Sequence, residues 1–181
     1  MTAAIATELP ILLVDDDPSV RLAMSRLVER LGHPVTCCDD GLAAWRLLQE
    51  RRVPILITDW FMPGLDGVDL VRRLRAQERE HGGYTYIIAL TGEDDPELIA
   101  VGMQAGVDDF LFKHRARQDL RLRLTVAQRI MAIQTDLQRS HDRMRRDLAA
   151  AEQVQRSLLP TSPPAIGNLQ AAWRMDACDE L

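Results

Sequence analysis

The chain has 181 residues, 46% of them hydrophobic, and a net charge of -5. That length holds one globular domain of roughly 120 residues with an appendage. No apolar run reaches the ~18 residues of a membrane span, and the amino-terminal stretch lacks the basic start and apolar core of a secretory signal, so a cytoplasmic protein with no membrane partner is expected. The three cysteines, Cys37, Cys38 and Cys178, are odd in number and two are adjacent, which argues against a disulfide framework and fits a reducing compartment. Negative charge and 4% aromatic content give no pull toward nucleic acid and no base-stacking platform.

Ile11-Leu12-Leu13-Val14 reads as a buried strand ending in Asp15-Asp16-Asp17. Pro18 opens a helix with apolar residues at Val20, Ala23, Met24, Leu27, Val28 and Leu31, capped by Asp17 and ended by Gly32. A second strand, Pro34 to Cys38, leads through Asp39-Asp40-Gly41 into a helix with Ala44, Leu47 and Leu48 on one face. Ile55 to Asp59 is a third strand. After it comes a loop with Pro63, Gly64 and Gly67, where Asp66-Gly67 is turn chemistry, then a helix bearing Val68, Val71 and Leu74. Tyr86 to Leu90 is the fourth strand, about Pro96 to Ala105 the fourth helix, and Asp109 to Phe112 the fifth strand.

Strand and helix alternate five times, and the strands are apolar without alternation. That predicts an α/β fold, a flavodoxin-like, doubly wound five-stranded parallel sheet covered on both faces and extended by a long C-terminal helix. Such sheets bind ligands at the carboxyl ends of their strands, near the topological switch point. Asp15 and Asp16 follow strand one, Asp59 ends strand three, Thr91 follows strand four and Lys113 follows strand five.

Three carboxylates crowded at one rim repel one another unless a cation is present. A hard divalent ion such as Mg²⁺ resolves this with oxygen ligands. Lys113 is the single lysine among 22 Lys plus Arg, where a compact ammonium differs from a planar fork, and lysine binds phosphate as a point charge. With the Thr91 hydroxyl, the set suits phosphoryl transfer to a carboxylate nucleophile. The four histidines and the three cysteines show no metal-binding spacing.

Val14-Asp15-Asp16, the block from Thr58 to Gly67 with its DxxMPxxDG pattern, Leu90-Thr91-Gly92 and Phe112-Lys113 resemble, in order and spacing, the signature blocks of response-regulator receiver domains over about residues 9 to 125. The resemblance implies that Asp59 is the phosphoacceptor and that a histidine kinase is the donor. It implies Mg²⁺ held by Asp59, by Asp16 directly, by Asp15 largely through water and by the backbone carbonyl of Phe61. Thr91 and Lys113 would contact the phosphoryl group, and Thr91 and Phe110 would form the switch. Two departures stand out. The family usually has proline after the strand-five lysine, often in a cis bond, and this chain has His114; a cis bond there costs about 2.5–4 kcal/mol, so a trans bond and an altered loop are expected. Phe110 also lacks the hydroxyl that the family often carries.

Residues 116 to 159 contain neither glycine nor proline. A signalling helix is expected over 116–159, continuing from the last receiver helix and pairing as a parallel two-stranded coiled coil in a homodimer. One heptad row runs through Ile130, Leu137, Met144, Ala151 and Leu158. The other runs through Leu120, Ala127, Gln134, His141, Leu148 and Gln155 and is half polar. A Pro-rich linker and the start of an output domain are expected over 160–181.

Ala151 to Pro160, with its VQxxLLP-like ending and the proline turn after it, resembles the segment ahead of the core of PP2C-like serine phosphatases of the RsbU and SpoIIE type. By this resemblance the chain stops before the phosphatase metal motif. The chain itself is expected to be a phosphoacceptor with autodephosphorylation and otherwise no enzyme. The full-length protein is expected to be a protein serine/threonine phosphatase acting on an anti-sigma-factor-antagonist-type phosphoprotein. The alternatives are a receiver joined to a nucleotide cyclase, and an adaptor or DNA-associated regulator. The last draws on residues 115 to 147, where nine Arg and four Asp leave a local excess of 9 − 4 = +5; those arginines have the spacing of a solvated helix face, and no helix-turn-helix follows.

Overall fold

The structure is a computed structural model that describes residues 8–92 and 94–158. Five strands alternate with five α-helices: β1 (Ile11–Val14), α1 (Pro18–Arg30), β2 (Val35–Cys38), α2 (Gly41–Glu50), β3 (Ile55–Asp59), α3 (Gly67–His81), β4 (Tyr86–Thr91), α4 (Pro96–Ala105), β5 (Asp109–Phe112) and α5 (Ala116–Leu158). The strands form one sheet in the order β2-β1-β3-β4-β5, and every pairing is parallel. This is the doubly wound, flavodoxin-like sheet expected from the alternation. Strand order reverses between β1 and β3, which fixes the switch point at their carboxyl ends.

Each strand is apolar without alternation because both faces are covered. Leu12, Val14, Leu56, Ile87 and Ala89 point into one layer with Ala44, Leu48, Leu70, Val71 and Leu74 of α2 and α3. Ile11, Leu13, Ile55, Ile57, Ile88 and Leu90 point into the other, with Met24 and Val28 of α1 and Leu120, Leu124 and Ala127 of α5. The helices start where side-chain acceptors satisfy their first amides. Asp17, Asp40, Asp66 and Asp95 are the N-caps of α1 to α4, accepting from Ser19 N and Val20 N, Ala43 N, Asp69 N and Glu97 N. Asp17 is thus the cap expected, and Asp66 is more than a turn residue because it caps α3. The two amide bonds it accepts hold the Asp17 carboxyl below its ordinary range.

The described residues divide into two units, one ending at Gln134 and one beginning at Thr135. Burial corrects the expected heptad seam at two positions. Leu120 and Ala127, two of its positions, are completely buried in the core of the first unit. They cannot face a partner, because their packing is already spent on the sheet. Residues 159–181, with the linker and the last residues of the VQxxLLP-like ending, lie outside the described residues.

Candidate functional site

The loops after β1, β3, β4 and β5 bring five side chains to one rim. Asp15 leaves β1 fully buried, while Asp16 beside it is exposed. Asp59 ends β3 at 7% exposure, and Thr91 ends β4 at 6%. Lys113 follows β5 and opens a short 3-10 turn, Lys113–Arg115. Among the described residues no peptide bond is cis, so the Lys113–His114 bond is trans as expected. The His114 ring sits 5.9 Å from that of Phe112. Lys113 still reaches the site in this geometry. Its Nζ donates to Asp59 Oδ2 at 2.9 Å and lies 3.1 Å from Asp15 Oδ2.

The backbone fixes the two buried acids from the other side. Trp60 N donates to Asp59 Oδ1 at 2.8 Å, and Asp17 N donates to Asp15 Oδ1 at 2.9 Å. Arg21 Nη1 donates to the Asp15 carbonyl at 2.6 Å, a tether from α1 that sequence reasoning missed. The loop after Asp59 doubles back so that Gly67 N donates to the Trp60 carbonyl at 3.1 Å. A Cβ on Gly67 would collide with the Asp59 carbonyl oxygen. The DxxMPxxDG pattern thus ends in glycine because α3 begins against the backbone of the site itself.

Electrostatics mark the same residues. Burial pushes the Asp15 carboxyl above its ordinary range, nearby Asp59 adds to this, and the Lys113 ammonium opposes it. For Lys113, burial pulls the ammonium down, but the carboxylates of Asp59 and Asp15 outweigh it and the net shift is upward. Asp15 Oδ2 is buried with no hydrogen bond, because the Lys113 contact at 3.1 Å is a charge contact without hydrogen-bond geometry. Ligand atoms of Asp15, Asp16 and Asp59 lie within 4.8 Å of one another. A buried carboxylate oxygen without a hydrogen bond, inside an all-oxygen donor set, fits a hard divalent cation such as Mg²⁺.

Behind the rim sits an aromatic stack absent from the motif reading. The ring of Trp60, next in sequence to Asp59, lies 6.0 Å from that of Phe110 on β5. Both rings press on Gly102 of α4, where a Cβ would lie 2.6 Å from Phe110 Cζ and closer still to Trp60 Cη2. Trp60 is buried and Phe110 is partly buried against the same core layer. The available signal was a glycine inside a helix, where it costs roughly 0.5–1 kcal/mol against alanine unless packing needs it.

A family model, the response regulator receiver domain, matches residues 11–125. The chain belongs to this family. It is 36% identical over 112 residues to the chemotaxis protein CheY of Pseudomonas aeruginosa, covering 61% of this chain and 89% of that protein. It is 33% identical over 103 residues to the transcriptional regulatory protein AfsQ1 of Streptomyces coelicolor, covering 57% of this chain and 44% of AfsQ1. The match to the response regulator RppA of Synechocystis spans 50% of that protein. The chain therefore spans about half the length of these larger regulators. Among solved structures, the receiver domain of a Francisella response regulator superposes with a TM-score of 0.60 at 29% identity, over 66% of this chain and 95% of that one. The receiver domain of the Arabidopsis thaliana histidine kinase CKI1 complexed with Mg²⁺ gives 0.58 at 29% identity, over 67% and 91%. The receiver resemblance read from the motif blocks is thereby borne out as a receiver of two-component signalling, a family that works with histidine kinases. Among the described residues, no helix is long and apolar enough to cross a membrane.

Proposed function

We propose that this chain is a phosphorylation-controlled response regulator whose Asp59 accepts a phosphoryl group from a histidine kinase. The observation that carries the reading is the buried pair of Asp59 and Asp15 held by one ammonium, with Asp15 Oδ2 left without a hydrogen bond. An Asp59 carboxylate oxygen attacks phosphorus. The O–P bond forms as the P–N bond of the phosphohistidine breaks, and its electron pair returns to the imidazole nitrogen. Asp15, Asp16, Asp59 and the Phe61 carbonyl would hold Mg²⁺, which would supply positive charge beside the transferred group. Lys113 and Thr91 hold phosphoryl oxygens. Trp60 N fixes the carboxylate plane, so the nucleophile is oriented before the donor arrives.

Thr91 and Phe110 then shift, and α5 carries the signal to an output as the helix of a parallel homodimer. The output is a PP2C-like serine/threonine phosphatase acting on a phosphoprotein of the anti-sigma-factor-antagonist type, a reading supported by the VQxxLLP-like sequence before Pro160. The contrasting output is transcription, after the transcriptional regulatory protein AfsQ1.

The test is mass spectrometry after incubation with acetyl phosphate and Mg²⁺. The chain gains one phosphoryl group on Asp59, and Asp59→Asn gains none. Label on the Asp59→Asn variant at the wild-type level would overturn the assignment.

A further inference from the structure

Three residues, Asp15, Asp16 and Asp17, join the end of β1 to the start of α1. The first and the third are anchored. Asp15 N donates to the Cys38 carbonyl at 3.3 Å, Asp15 Oδ1 accepts from Asp17 N at 2.9 Å, and the Asp15 carbonyl accepts from Arg21 Nη1 at 2.6 Å. Asp17 Oδ1 accepts from Ser19 N and Val20 N, and the Asp17 carbonyl accepts from Arg21 N at 2.9 Å. The middle residue differs. Asp16 is exposed, and among the described residues its carboxylate has neither a hydrogen bond nor an ion pair. Its direction is therefore set by the backbone, through the two peptide planes that flank it. Asp15 Oδ1 fixes the plane on one side by holding Asp17 N. Arg21 fixes the plane on the other by holding the Asp15 carbonyl.

Arg21 can do this because of where α1 puts it. A helical side chain leans back toward the amino-terminal end, so a residue one turn after the Asp17 cap overhangs the end of β1, and a long stem spans the gap. Three aspartates stand at this end of the helix, yet among the described residues Arg21 forms an ion pair with none of them. Its guanidinium goes to a main-chain oxygen instead. A positive charge near a cation site weakens metal binding by charge alone. Electrostatics thus predicts one sign for the effect of Arg21 on Mg²⁺, and geometry predicts the other.

We infer that Arg21 is a positioning residue for the metal end of the site: by holding the Asp15 carbonyl it fixes the peptide plane that aims the Asp16 carboxylate at the cation it would share with Asp15 and Asp59. The inference rests on the Mg²⁺ site of the proposed function and adds to it a residue outside the ligand set. Groups that orient a metal ligand without binding the metal typically set about 10–100-fold in affinity. A single guanidinium nitrogen makes the bond, so another charged donor on a long stem serves in part, whereas an apolar stem does not.

The test is the rise in melting temperature that Mg²⁺ adds to the whole chain, fitted to a dissociation constant for the wild type, Arg21→Met, Arg21→Lys and Arg26→Met. Arg26 is an exposed arginine of the same helix that makes no ion pair among the described residues. The expected result is that Arg21→Met binds Mg²⁺ about tenfold more weakly or worse, that Arg21→Lys falls between it and the wild type, and that Arg26→Met matches the wild type. Because the constant is read from the rise that Mg²⁺ adds, a change in melting without Mg²⁺ does not imitate it. If Arg21→Met does not fold, Arg21→Gln, whose amide is too short for the tether, is read in its place. Removal of the guanidinium that leaves Mg²⁺ bound as tightly as in the wild type, or more tightly, would overturn the inference, since relief of charge would be all that it does. Equal weakening by Arg26→Met would overturn it too, because the effect would belong to the helix and not to the tether. So would an Arg21→Lys variant no tighter than Arg21→Met, because the donor would then not matter. A wild type whose melting does not respond to Mg²⁺ would remove the metal site of the proposed function itself and the inference with it, an outcome read without any variant.

Discussion

Up to Gln134, α5 has an apolar face committed to the sheet; from Thr135 to Gln155 every described side chain but Glu152, which is half-buried, is exposed. Both stretches have leucines at helical spacing, so hydrophobicity does not separate them. Phase does: Leu120 and Leu124 fall on the side that meets Ile88 and Leu111, and Leu122, two residues along, falls off it at 64% exposure. A leucine in this helix is a core residue or a surface residue according to where the chain's turn leaves it. The sharpest way to break the comparison is a pair of truncations. Leu120→Ala removes a completely buried side chain and lowers receiver stability by about 2–5 kcal/mol. Leu137→Ala changes it by less than about 0.5 kcal/mol. Urea unfolding, at a concentration where the chain is monomeric, reads both. Equal losses would mean that the two stretches of α5 are packed alike.

That contrast also shows what was legible in the sequence. Continuous apolar strands, Asp17 at its cap and the acids at strand ends were readable because each follows from local chemistry: strand burial on both faces, amide capping and turn geometry. The site was readable from motif spacing, since Asp15, Asp59, Thr91 and Lys113 end or follow strands whose ends converge in any sheet of this order. The division of α5 was not readable. Ile130, Leu137 and Met144 fit a heptad row in the sequence, and only the burial of Leu120 and Ala127 shows that two positions of its companion row belong to the receiver core. Arg21 was equally invisible, because nothing in its neighbourhood says that its guanidinium turns back to the Asp15 carbonyl.

A second contrast lies inside the site, between its two buried acids. Asp59 accepts from the Lys113 ammonium and the Trp60 amide, whereas Asp15 keeps one buried oxygen without a hydrogen bond. Burial, with Asp59 adding to it, lifts the pKa of Asp15 in the folded chain. The fold therefore holds the Asp15 proton more tightly than the unfolded chain does. The ionised carboxylate costs stability at neutral pH, and that cost disappears as pH falls through the raised pKa. Asp15→Asn keeps the Oδ1 acceptor for Asp17 N and removes the charge. In the absence of Mg²⁺ it melts higher than the wild type at pH 7, and the gap closes on acidification. The added stability that Mg²⁺ gives the wild type is reduced or lost in the variant. A variant that melts lower at pH 7 without Mg²⁺ would mean that Asp15 is held as a satisfied partner of Lys113.

The smallest effect tests how the aromatic stack divides its space with α4. Alanine at 102 gains helix propensity worth up to about 1 kcal/mol but places a methyl 2.6 Å from Phe110 Cζ and closer to Trp60 Cη2, overpacking that costs typically about 1–3 kcal/mol. The two terms nearly cancel in stability, so a melting curve is the wrong measurement. They do not cancel in geometry, because both rings must turn to admit the methyl. Trp60 is buried next to Asp59, and its fluorescence reports that movement directly. Gly102→Ala shifts the emission of Trp60, measured with Trp45 and Trp173 replaced by phenylalanine, and changes how far beryllofluoride shifts it again. Met103→Ala, one residue along and 56% exposed, leaves both spectra unchanged. If the Gly102→Ala spectra match the wild type with and without beryllofluoride, α4 has moved away from the rings instead. Trp60 and Phe110 would then be a fixed wall, and the mobile part of the switch would be the helix.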